Sequence, residues 1–182
     1  TRVSSSAASD VYKRQPLWFA DAPGTEDTNG FARQNWFEPV GREAAMLRHA
    51  VGVIDISNFG KYEVTGPGAG DWLDALVANH VPREIGKSCL TPLIGMRGGV
   101  AGDFTITMTG DESYMMIGSG MAERYHRRFF DMVPLPDGTG FDVATPRIAG
   151  FNVAGPRSRE MLAGLTDADL SNEGWLFMRS RH

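Results

Sequence analysis

"DFTITMTGDESYMMIGSG", residues 103–120, decides the fold. Two runs rich in β-branched, methionine and aromatic residues alternate with a period of two on either side of Thr109-Gly110-Asp111-Glu112. That turn composition between two such runs predicts a β-hairpin. Upstream, "KYEVTG" (61–66) alternates as another strand. Downstream, residues 121–133 read as a helix with Met121, Tyr125, Phe129 and Met132 on one face and Arg124, Arg127, Arg128 and Asp131 mostly on the other. Further back, "GREAAMLRHAVGV" (41–53) places Ala45, Leu47 and Val51, and the Ala44/Arg48 pair, at the spacing of a short amphipathic helix.

The chain also echoes itself. "VTGPGAGDWLDAL" (64–76) and "VAGPRSREMLAGL" (153–165) share V-x-G-P-x-x-x-x-x-L-x-x-L, the second beginning 89 residues after the first. In each, a strand ends at Gly, Pro sits near the first helical turn where its missing N–H costs nothing, and two Leu three apart face a core. The shared pattern predicts a duplicated strand-turn-helix unit. With the hairpin, it implies an α+β fold in which antiparallel strands are covered by helices.

Composition bounds what such a fold does. The 182 residues are 42% hydrophobic, enough for one packed core and at most two domains. The net charge of −4, without a dense Lys/Arg block, offers no footprint for nucleic acid or an anionic membrane. The single cysteine, Cys89, allows no internal disulfide and reads as an inert thiol in a mixed apolar stretch. No window of about 18 apolar residues is present to span a bilayer.

Residues 1–15, "TRVSSSAASDVYKRQ", lack a methionine start and an apolar h-region, and are expected to be a non-native or disordered leader outside the fold. Residues 16–38 carry Trp18, Phe19, Phe31, Trp36 and Phe37 without a period, which predicts an ordered linker whose aromatics dock on a neighbour. Residues 39–182 form the domain proper, expected to be cut short at its C-terminus.

Few chemical motifs survive inspection. "GSGMAE" (118–123) begins like a dinucleotide fingerprint, but Glu123 stands where the third glycine belongs and no acid-ended strand follows about 20 residues on. His49, His80, His126 and His182 lack metal-ligand spacing, and Ser57 lacks a nucleophile elbow, leaving Asp55 and Ser57 to turn and cap hydrogen bonds. Asp103 is different. Gly98, Gly99 and Gly102 crowd around it and predict a hollow roomy enough for a flat ligand, where partial burial would raise its pKa toward that of a general base. The plainer reading is a turn aspartate closing an Asx-type hydrogen bond. Residue types alone leave both open.

The segments "NWFEPVGRE", "VIDISNFGK-x-EVTGP", the Gly-Gly-x-x-x-Asp step, "AERYH-x-RFF" and "LSNE", in that order, resemble the folate-binding module shared by the aminomethyltransferase (T-protein) of the glycine cleavage system and the dimethylglycine and sarcosine dehydrogenases. The resemblance runs from about Pro16 to Arg181. It implies an FAD domain N-terminal to this stretch that oxidises an N-methyl amine, and a module here that captures the one-carbon unit on tetrahydrofolate. It implies that Asp103 is the acid beside the pteridine, polarising or deprotonating the folate's nucleophilic amine. The aminomethyltransferases carry two adjacent acids at this step and use the first, which is Gly102 here, so the role passes to Asp103 or is weakened.

By the same resemblance Phe59 stands for a ligand-packing methionine, Leu90 for an aromatic, and Tyr114, Met116 and Gly118, two apart on one strand face, line the pteridine cleft. Gly118 replaces an asparagine, and a pterin-gripping glutamate lies beyond His182. The expected partners are the folate, the amine-derived one-carbon unit and an upstream flavin domain of the same chain, with no nucleic acid or membrane. The implied location is bacterial cytoplasm or the mitochondrial matrix. Two other readings stand beside this one: a non-catalytic module that kept the fold, and a stand-alone aminomethyltransferase, against which the aromatic "NWFEPV" approach from an upstream domain argues.

Overall fold

The computed structural model describes residues 18–28 and 30–181. The expected leader lies outside them. The chain divides into two compact units, one formed by residues up to Ile56 together with Phe151–Leu170, the other by Ser57–Gly150 together with the residues from Ser171 onward.

The first unit holds α1 (Phe37–His49), β1 (Gly52–Asp55), β7 (Phe151–Ala154) and α4 (Ser158–Ala163). Helix α1 begins four residues before the pattern predicted, because Pro39 fits the first turn, where no intrahelical N–H is needed. It ends at His49, and β1 takes Gly52 and Val53 to pair antiparallel with β7, Gly52 opposite Ala154 and Asp55 opposite Phe151. Ahead of α1, the Trp18 indole is buried and donates to Asp27 Oδ1 at 2.7 Å, while Phe31 is fully exposed.

The second unit is a five-stranded antiparallel sheet with helices on one face. Its strands are β2 (Gly60–Thr65), β3 (Ser88–Ile94), β4 (Val100–Gly110), β5 (Ser113–Gly118) and β6 (Gly140–Val143), in the order β3-β4-β5-β2-β6. The β4–β5 hairpin forms as the sequence predicts. Gly110 opposes Ser113 across Asp111-Glu112, Glu112 takes φ 46°, and the register shifts at Thr109. Tyr62 and Val64 of β2, Phe104 and Ile106 of β4 and Tyr114 and Met116 of β5 point to one face and are buried. They pack against Trp72, Leu73 and Leu76 of α2 (Ala69–Leu76) and Phe130 of α3 (Glu123–Phe130).

Helix α3 follows a 3₁₀ turn at Gly120–Ala122, and it is rotated relative to the sequence expectation. Its buried residues are His126 and Phe130. Of the apolar face the pattern predicts, Met121, Tyr125 and Met132 are exposed and Phe129 is half-buried. The reason is the company on the sheet. Tyr62, Phe104, Phe130 and Phe141 form a ring cluster in which Tyr62 meets Phe130 edge to face with centroids 5.2 Å apart, and His126 joins it edge to face 4.7 Å from Phe104. Aromatic edge contacts outbid the generic hydrophobicity of the methionine stripe.

The duplicated unit is present in both halves. β2 leads through Gly66-Pro67 into α2, and β7 leads through Gly155-Pro156 into α4. The turns match bond for bond: Ala69 N donates to Gly66 O and Ser158 N to Gly155 O, both at 3.1 Å. Both glycines adopt left-handed backbone, φ 101° and 118°. A Cβ on Gly66 would run into the carbonyl oxygen of Gly138, and one on Gly155 into that of Ala50. Gly66→Ala is therefore expected to destabilise the chain by about 1–3 kcal/mol, read as a lower urea midpoint at unchanged slope.

Candidate functional site

β4 alternates strictly, so the buried Phe104 places Asp103 on the opposite face of the sheet. Asp103 is exposed and opposes Pro92 of β3. Beside it runs a cross-strand row of Leu90, Thr105, Ile117 and Lys61, which oppose one another across β3, β4, β5 and β2. Leu90 is exposed, Thr105 and Ile117 are half-buried, and Lys61 is buried, its ammonium donating to the carbonyls of Ser57 (2.9 Å) and Phe59 (3.0 Å). This outward face is thus a shallow apolar and hydroxyl-bearing surface with a carboxylate at one side and a buried lysine at the far end of the row.

The expected hollow around Asp103 is not what the glycines build. Gly98 and Gly99 turn the β3–β4 connection, where an added Cβ would meet open space, and Gly98 takes φ 80°. Gly102 is already filled from the core side. A Cβ there would come within 2.5 Å of His126 Nε2 and 3.3 Å of the Phe104 ring. Asp103 lines none of the cavities described for this unit, whose members are Gly95–Arg97, Gly99–Ala101 and Tyr125 with Phe129 and Met132 in one, and Trp72, Arg127 and Phe141 among others in a second.

The six expected ligand residues also divide. Asp103 and Leu90 share the outward face, and Phe59, half-exposed, precedes β2. Tyr114, Met116 and Gly118 lie on the inner face instead. Tyr114 and Met116 are buried in the core, and Tyr114, its phenol pushed up chiefly by burial, has its hydroxyl beside Arg83 and Gly70. A Cβ on Gly118 would approach two ring carbons of Phe104 at 2.6 Å, so this glycine makes room for a phenyl ring. One sheet cannot present both sets to one ligand. The three inner residues support the face that Asp103 occupies and do not form a wall with it.

Sequence reading missed two residues here. His126 carried no metal spacing, yet it is buried with Nδ1 3.4 Å from the Tyr62 hydroxyl. Burial pushes its imidazole below the usual 6.5, against Asp103 and Glu123, which pull it up. Lys61 gave no signal beyond a strand position; only the folded-back Ser57–Phe59 carbonyls explain its burial. The remaining candidates settle plainly. Ser57 Oγ accepts from Gly150 N at 3.0 Å, burial raises the Cys89 thiol, and no cluster of metal-ligating side chains occurs among the described residues. "GSGMAE" passes from an antiparallel strand into the 3₁₀ turn, not the parallel unit a dinucleotide site needs.

With this geometry in view, comparison with known proteins identifies the class. Residues 8–182 match the GCVT N-terminal domain, and the chain belongs to that family. It is 32% identical over 171 residues to mitochondrial dimethylglycine dehydrogenase of Mus musculus, covering 92% of this chain and 19% of that protein. It is 29% identical over 150 residues to an aminomethyltransferase of Thermus thermophilus, covering 81% of this chain and 42% of that one. The crystal structure of the glycine cleavage aminomethyltransferase T from Bartonella henselae shares the fold, with TM-score 0.64 at 21% identity over 86% of this chain and 43% of that one. The chain thus spans about a fifth of its dehydrogenase relative and under half of the aminomethyltransferases. Those relatives are enzymes.

Two measurements test the core side of the site. Gly102→Ala is expected to cost about 1–3 kcal/mol by overpacking, and His126→Ala in the same background to recover part of it, a coupling a double-mutant cycle reads directly. Because the folded His126 binds its proton less readily than the unfolded chain does, stability should be full above pH about 6.5 and fall as the pH drops below it. Denaturant titrations from pH 7.5 to about 5 should show that slope in the native chain and its loss in His126→Gln.

Proposed function

We propose that the chain is the one-carbon-accepting part of an FAD-dependent N-methyl amine dehydrogenase of the dimethylglycine or sarcosine type, and that its outward sheet face contributes to a tetrahydrofolate site. The observation that carries the reading is the 32% identity to dimethylglycine dehydrogenase across 92% of the chain. The residues on the outward face fit the cofactor in part. A pterin offers N–H groups and a flat apolar ring; Asp103 supplies an acceptor, and Leu90, Thr105 and Ile117 supply a surface. Phe59 is exposed enough to pack at the edge.

Tetrahydrofolate, when bound, provides the amine that accepts a one-carbon unit. Asp103 would hold that amine through a hydrogen bond to its N–H and would receive the proton it gives up on accepting the one-carbon unit. The buried ammonium of Lys61, held by two carbonyls, stiffens the strand end that carries Phe59. His126 sits directly behind Gly102 and keeps the backbone at Asp103 from shifting inward. In this reading FAD belongs to another part of the parent enzyme, and cytoplasm or mitochondrial matrix is the compartment.

A non-catalytic module of the same fold is the second reading, and a specific observation favours it: Asp103 is exposed and the position of the first family acid is filled by His126. One experiment separates the two. In the full-length protein, Asp103→Ala is expected to lower methylenetetrahydrofolate formation by about 10²-fold while leaving amine-driven flavin reduction within about twofold. Unchanged methylenetetrahydrofolate yield would support the non-catalytic module.

A further inference from the structure

The outer face of α3 offers a second surface, distinct from the Asp103 face. Tyr125 and Phe129 lie four apart on one side of α3 with Arg128 and then Arg124 beside them, while Met121 belongs to the 3₁₀ turn before the helix and Met132 to the turn after it. Met121 is 79% exposed, Met132 53% and Tyr125 48%, while Phe129 is half-buried and packs against the core. Opposite it stand Met96, 88% exposed, and Val100, 70% exposed, from the β3–β4 connection. Met96, Val100, Tyr125, Phe129 and Met132 line a cavity of about 290 Å³ between helix and turn, with Arg97 at its border. Large contiguous apolar exposure of this kind marks an interaction site, and methionine is the side chain that adapts to a partner.

Charge identifies the partner. The chain as a whole carries −4, yet Arg97 borders this groove and Arg124 and Arg128 stand beside Tyr125 and Phe129 on α3. Arg127, on the far side of α3, is occupied by Asp131 at 2.8 Å and by the Phe141 ring. Arg97, Arg124 and Arg128 pair with no carboxylate among the described residues. Nor does the turn offer a strand edge, since Gly95 N donates to Gly99 O and Gly98 N to Gly95 O, both at 2.8 Å. An extended segment would find no hydrogen-bond ladder there, whereas a helix needs only side-chain contacts.

We propose that the groove between α3 and the Gly95–Val100 turn docks an acidic amphipathic helix of a partner protein, its apolar face on the Met96–Tyr125–Met132 stripe and its carboxylates on Arg97, Arg124 and Arg128. The probe is a fluorescein-labelled helical peptide of about 16 residues with leucine at i, i+3, i+4 and i+7 and glutamate on both flanks. A second peptide carries lysine for glutamate. Against the full 182-residue chain, the acidic peptide is expected to give saturable anisotropy, weakened about tenfold by Arg124→Glu/Arg128→Glu and by raised salt. The lysine peptide should not bind.

Methyl-labelled methionine separates this surface from any other. On adding the acidic peptide, the Met96, Met121 and Met132 resonances should shift while the buried Met108 and Met116 stay in place. Equal binding of both peptides, or shifts elsewhere, would overturn the proposal. So would broadening of the same three resonances on concentrating the chain alone, which would make the groove a contact between copies.

Discussion

The Phe104 ring needs two neighbours without side chains. It lies where the Cβ of Gly118 would be, and its edge contact with His126 brings the imidazole onto Gly102. These two glycines, on adjacent strands of one hairpin, let a phenyl ring and an imidazole reach the backbone, where any larger residue would hold them off. From that contact the rest follows. Phe104 fixed inward sets the phase of β4, the phase sends Asp103 outward, and the His126–Phe130 edge of α3 is drawn down onto Tyr62. The methionine stripe of α3 is left outside as a result.

Much of this was legible in residue order because it obeys local rules. The hairpin at Asp111-Glu112, the strand at Gly60–Thr65 and both Gly-Pro turns declare themselves through a period of two, turn chemistry and proline placement. The inward face of α3 was not legible. Met121, Tyr125, Phe129 and Met132 are more hydrophobic as a set than His126 and Phe130, and only the aromatic cluster on the sheet, assembled from β2, β4 and β6, reverses the ranking. The glycines near Asp103 misled for a related reason. A glycine signals that something comes close, and at Gly102 what comes close is the protein's own imidazole.

The division of the expected ligand residues has the same origin. Tyr114, Met116 and Gly118 are two apart, and so are Leu90 and Pro92; spacing shows that each set shares a face but not which face. That choice depends on where the helices land. With α2 and α3 on the Tyr114 side, the carboxylate of Asp103, the exposed Leu90 and the Thr105–Ile117 pair make up the other. The outward face is covered at its β2 end, where Lys61 is buried against the carbonyls of Ser57 and Phe59, and open at Asp103 and Leu90.

The two strand-turn-helix copies share backbone but not interior. Helix α2 buries Trp72, Leu73 and Leu76, and its Trp72 indole donates to Val133 O at 2.9 Å. Helix α4 buries none of its residues. Local opening costs little where little apolar surface must be exposed, so amide protons of α4 will trade with deuterium long before those of α2. One repeated phrase of chain thus serves as keystone in one place and as veneer in the other, and unravelling under stress begins at the veneer.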